Sequence, residues 1–77
     1  MDIPDSITKN AVEQYEKIRG LGPCNMFDYN CVMNYAGMMG LIELSDLNKD
    51  DYIFIISNYS DLLDLFNISR NEDRRVL

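Results

Sequence analysis

The stretch GPCNMFDYNCVMNYAGMMG, residues 22–40, limits what this chain can fold into more than any other, because turn residues bracket it on both sides. Gly20-Leu21-Gly22-Pro23 precedes its apolar pattern and Gly40 closes it. Glycine reaches the left-handed backbone that ends helices, and proline pushes the residue before it away from the α region. The interval between them suits one helix of about four turns. Phe27, Cys31, Tyr35 and Met38 recur there at spacings of 4, 4 and 3, with Val32, Ala36 and Met39 as a second row at 4 and 3. That periodicity predicts a helix over 25–39 with a broad apolar stripe. Asn25 is the preferred N-cap, with Asp28 in the capping-box position. A later start, with Asp28 as the cap and Phe27 stapled on Val32, stays open. Gly40 reads as the left-handed residue past the helix end. Gly37, inside the pattern, costs about 1 kcal/mol relative to alanine, which suggests close approach of another backbone there.

The rest of the chain is punctuated in the same way. After an extended lead-in over 1–5, Ile7, Ala11, Tyr15 and Ile18 share one helix face, with Asp5 or Ser6 as the cap. Lys9, Glu13, Glu16 and Lys17 fall mostly on the other side. Beyond Gly40, Leu41, Leu44 and Leu47 suit a short helix. Asn48 then caps the next one, with Asp51 three residues on. Tyr52, Ile55, Ile56, Tyr59, Leu62, Leu63 and Phe66 keep helical spacing. The weak helix formers Ser57-Asn58-Tyr59-Ser60 and a fresh cap at Ser60-Asp61 predict a break near Asn58. Tyr52-Ile-Phe-Ile-Ile56 could be a strand, but no second strand is present to pair with it. The expectation is an all-α fold: one domain over 1–69 of four or five short helices, with the 25–39 helix central, followed by a charged tail over 70–77. At 77 residues and 47% hydrophobic composition the chain supports a single core. At this size self-association is common, so a homodimer stays open.

Charge and residue content narrow the chemistry. Thirteen acids against seven bases give a net charge of −6. Such a chain is poorly suited to direct contact with nucleic acid or with an anionic membrane. Basic proteins are its natural partners. No run approaches the ~20 apolar residues of a membrane span, and no leader pattern follows Met1, so the expected location is the cytoplasm. In that setting Cys24 and Cys31 are expected to be unpaired, one in a loop and one in the core. Seven residues apart in a chain without histidine, they offer no zinc site. Asp46, Asn48 and Asp50 imitate the first ligands of a calcium loop, but Asp51 stands where glycine is needed and Ser57 where a bidentate glutamate is needed. The turn at Gly40 suggests helix-turn-helix geometry, yet Glu43 and Asp46 stand where a DNA-reading helix needs basic or amide residues. No nucleophile has an evident base. No metal, cofactor or catalytic residue is therefore assigned, and a non-enzyme is expected.

One surface signal remains. Glu43, Asp46, Asp50, Asp51, Asp61 and Asp64 stand within a stretch whose one basic residue is Lys49, with Tyr52 and Tyr59 interleaved. Glu43, Asp46, Asp50, Asp51, Tyr52, Asp61 and Asp64 are the candidate partner-binding residues, set against the plainer reading of a solvated helix face. Residues Ile18, Arg19, Gly22, Asn25, Met26, Phe27, Asp28, Val32 and Gly40 resemble the recurring pattern of a family of small phage and mobile-element proteins built around Gly-x-x-Asn-Met-Phe-Asp. The resemblance covers roughly residues 13–60 and carries no activity to transfer. It implies a phage-like origin, and with it an inhibitor or regulator that covers a basic groove of a host protein, such as a defence nuclease. The alternative is a structural or accessory homo-oligomeric subunit of a phage assembly.

Overall fold

The computed structural model describes residues 2–68, which form five helices and no strand. They are α1 (Lys9–Leu21), α2 (Tyr29–Met38), α3 (Ile42–Ser45), α4 (Lys49–Ser57) and α5 (Tyr59–Phe66). The fold is all-α, as the periodicity requires. The expected domain boundary at 69/70 and the charged tail lie outside the described residues.

The hub of the fold is α1, which packs against α2, α3 and α5. The 25–39 helix was expected to be central, but α2 buries only Val32 and Ala36. In contrast, α1 buries Ala11, Val12, Tyr15, Glu16 and Ile18. Its cap is Thr8, not Asp5 or Ser6: the Thr8 hydroxyl accepts from the Ala11 N–H at 3.1 Å. The helix ends where Gly22 turns left-handed (φ 76°) and donates its N–H to the Ile18 carbonyl. Ile7, Tyr15, Val32, Leu44, Leu47, Tyr52, Ile55, Leu62 and Leu63 fill the core around it.

The later of the two open starts for α2 is the observed one. Asp28 Oδ1 caps the helix by accepting from the Cys31 N–H at 3.2 Å. Asn25 instead makes a local turn, accepting from the Phe27 N–H at 2.9 Å. The staple on Val32 does not form, since Phe27 is 78% exposed. Of the two apolar rows, Val32 and Ala36 are buried, Cys31 and Tyr35 half-buried, and Phe27 and Met38 turned to solvent. At the far end Gly40 is left-handed (φ 75°), and Leu41 and Gly40 donate to the Ala36 and Gly37 carbonyls. This paired closure satisfies two orphan helix carbonyls. Gly37 does not admit a neighbouring backbone, because a Cβ built there meets nothing within 4 Å.

The cysteines are not free thiols. Cys24 and Cys31 form a disulfide, with Cα atoms 6.0 Å apart, and it ties the α1–α2 loop to the first turn of α2. This corrects the expectation of unpaired cysteines. Asn48 caps α4 as expected, accepting from the Asp51 N–H at 2.8 Å. The break after Ser57 is also present. However, α5 starts directly at Tyr59 from Asn58, without a side-chain cap at Ser60. Asn67 closes α5 in the left-handed region (φ 58°), with Ile68 and Asn67 donating to the Leu63 and Asp64 carbonyls.

Candidate functional site

The six candidate acids fall on three helices and one loop. Glu43 lies on α3, Asp46 just past its end, Asp50 and Asp51 in the first turn of α4, and Asp61 and Asp64 on α5. All are exposed except Asp51, which is half-buried and accepts a hydrogen bond from the Ser6 hydroxyl. Asp50 and Asp51 complement the positive end of the α4 dipole, and Asp61 does the same for α5. The Glu43 carboxyl is held below the usual carboxylate range. The chief cause is the Gln14 side chain, which donates to it at 2.6 Å, and the residue's own backbone adds to the effect.

Tyr52 does not belong to this surface. It is 1% exposed, and its hydroxyl donates to the Met26 carbonyl at 2.7 Å. An aromatic residue at the fourth position inside a capped helix faces the core when the helix packs through that side. Alternation with acids in the sequence therefore did not mean sharing their face. Tyr52 stacks in tilted geometry on Tyr15 (ring centroids 5.6 Å apart) and edge-on with Tyr29 (5.5 Å). Burial pushes its phenol well above the ordinary tyrosine value, with Tyr15 and Asp28 adding to the shift. Tyr29 in turn donates its hydroxyl to the Leu47 carbonyl at 2.9 Å, fixing the segment between α3 and α4. Tyr59 is half-buried against Tyr15 at 4.9 Å.

Two polar devices near the acids escaped sequence reasoning. Gln14 on α1 grips the start of α3 from both ends of its amide: Nε2 donates to Glu43 and Oε1 accepts from the Leu44 N–H at 2.9 Å. It stands in for the cap that α3 lacks. Glu16, expected on the solvent side of α1, is 2% exposed and paired bidentately with Arg19 at 2.8 Å. The Arg19 guanidinium also lies over the Tyr59 ring, 5.9 Å from its centroid, which joins α1 to α5. The three-residue spacing of Glu16 and Arg19 was the available signal, but it reads equally well as a surface pair.

Several large apolar side chains are exposed to solvent. Phe27, Met38 and Ile42 are 78%, 78% and 63% exposed, and Met39 is exposed with them. Between the first two, α2 carries no charged residue. An open depression at the α4–α5 junction is lined by residues 56–61 and is mostly polar. Among the described residues no group of three His, Cys, Asp or Glu side chains could hold a metal ion. No described helix is long and apolar enough to cross a membrane. Comparison with known proteins finds no matching family model, curated protein or solved structure.

Proposed function

We propose that this chain is a non-enzymatic protein-binding regulator or inhibitor of phage-like origin that occludes a basic surface of a host protein, with a defence nuclease as the candidate target. The observation that carries this reading is the placement of Glu43, Asp46, Asp50, Asp61 and Asp64, all exposed, with Lys49 as the one cation among them. Exposed acids concentrated in this way raise the encounter rate with a basic partner and disfavour acidic ones. The same reading assigns the protein to the cytoplasm of the host cell. There the Cys24–Cys31 pair would exchange between bond and dithiol.

The test is charge reversal. Asp46→Lys, Asp50→Lys and Asp61→Lys together should abolish capture of the host partner and leave the helical spectrum unchanged. Asp50 and Asp61 stand in the first turns of α4 and α5, so each of those reversals costs about 0.3–1 kcal/mol in helix-dipole energy without removing core contacts. Wild-type association should slow as salt passes ~0.15 M, where charges are screened beyond about 8 Å. A triple variant that captures the same partner as well as wild type refutes the reading. A second reading, a homo-oligomeric subunit of a phage assembly, draws on the exposed Phe27, Met38 and Ile42. Molar mass in solution separates the two.

A further inference from the structure

The loop before α2 is built to hold one large apolar side chain in water. Phe27 follows a turn in which Asn25 accepts from the Phe27 N–H, and the Asp28 N–H returns to the Asn25 carbonyl at 2.8 Å. Next to it, the Met26 carbonyl is held by the buried Tyr52 hydroxyl, and the Cys24–Cys31 bond closes the loop onto α2. Four independent ties thus fix a backbone that carries a phenylalanine 78% exposed. An aromatic group on a loop ordered in advance costs little further entropy on binding, the usual property of an interface anchor. On α2 itself, Asn34 and Met38 are four residues apart and both exposed, so they share one outer side of a helix roughly 15 Å long.

The charges around that side select its occupant. Asp28 stands at one end and Glu43 beyond the other, and no Lys, Arg or His occurs anywhere from Gly20 to Asn48. A second copy laid on this face would bring those acids together with no cation to offset them. A partner with an apolar pocket and a basic rim would meet them favourably. We infer that the outer side of α2, anchored by Phe27 and rimmed by Asp28 and Glu43, is the docking face for a protein segment that combines a pocket for the ring with Lys or Arg beside it. This rests on the protein-binding reading above but moves the centre of contact from the α4–α5 acids to α2.

The experiment is selection of a displayed random-peptide library against the oxidised wild-type chain, followed by affinity measurement on variants. Enriched peptides should carry Arg or Lys next to large apolar residues. Phe27→Ser, which removes a solvent-exposed ring and no core contact, should weaken their binding roughly tenfold or more. Leu65→Ser on α5, also exposed, should leave it unchanged. Peptides without basic residues, or Phe27→Ser binding as well as wild type, overturn the inference. If Phe27→Ser is silent while Asp50→Lys with Asp61→Lys removes binding, the docking face fails and the protein-binding reading survives. If neither variant affects binding, both fall. Sedimentation showing a dimer that Phe27→Ser dissociates overturns it in favour of a second copy.

Discussion

Reducing the Cys24–Cys31 bond should lower stability by an amount that its loop length sets. The bridge spans seven positions, so it closes a ring of about eight residues in the unfolded chain. The loop-closure relation for a ring of this size gives about 2.5 kcal/mol. The folded side contributes little to this difference. With the bond open, the Asn25 turn, the Asp28 cap and the Tyr52–Met26 hydrogen bond still hold the loop. For a domain of this length each kcal/mol moves the melting temperature by about 4–8 °C, so a fall of roughly 10–20 °C is expected. The assay is a pair of thermal melts, with and without a dithiol reductant, with intact mass recording the two hydrogens gained on reduction. Cys24→Ser with Cys31→Ser should melt like the reduced chain and ignore the reductant. If the mass shows full reduction and the melts superimpose, the loop-entropy argument is wrong for this protein.

Two further predictions concern backbone and burial. Gly37→Ala should stabilise the fold by up to about 1 kcal/mol, since the helix gains propensity and the new methyl meets open space. In contrast, Gly40→Ala forces a side chain into φ 75° and should destabilise by more than about 1 kcal/mol in chemical denaturation. Buried Tyr52 predicts loss of stability in alkali. Burial raises its folded-state value above the ordinary tyrosine value of about 10, so the stability it confers is whole below about pH 10 and declines as pH rises beyond that. The loss is visible as a falling melting temperature above about pH 10 and a late tyrosinate absorbance. Tyr15, raised mainly by burial, acts in the same direction.

How far the sequence could be read depends on whether a helix has a polar side. In α1, Ala11, Tyr15 and Ile18, with Ile7 just before its cap, oppose charged residues, and all four are buried. The Asn48 cap and the break near Asn58 were legible for local reasons, a side-chain acceptor and a run of weak helix formers. For α2 the pattern offered two apolar rows and no charge to mark the solvent side. Only packing against α1 and α3 decides that Val32 and Ala36 go inside and Phe27 and Met38 outside. Tyr52 was misplaced for the related reason that neighbouring acids mark a sequence region and not a face. Gln14 and Glu16 were invisible because their partners are fixed by tertiary contact or by burial that no local pattern encodes.

The start of α2 and the cysteine pairing are one structural fact. Were 24–31 continuously helical, the two Cα atoms would stand about 10 Å apart, at 1.5 Å per residue. A disulfide reaches no further than about 7 Å between Cα atoms, so a helix running through Cys24 and a bond to Cys31 conflict. The observed 6.0 Å requires the chain to fold back between Cys24 and Asp28, and the Asn25 turn does that. Asn25 and Asp28 are both competent caps, three residues apart, and local propensity ranks them nearly equal. Asp28 is the observed cap, accepting from the Cys31 N–H, and the Cys24–Cys31 bond fits that start. With Asp28 as the cap, Phe27 and Val32 occupy the two positions of a hydrophobic staple, yet Phe27 is 78% exposed while Val32 is buried. Local spacing therefore permits the staple, and the folded-back loop that the Cys24–Cys31 bond encloses does not make it.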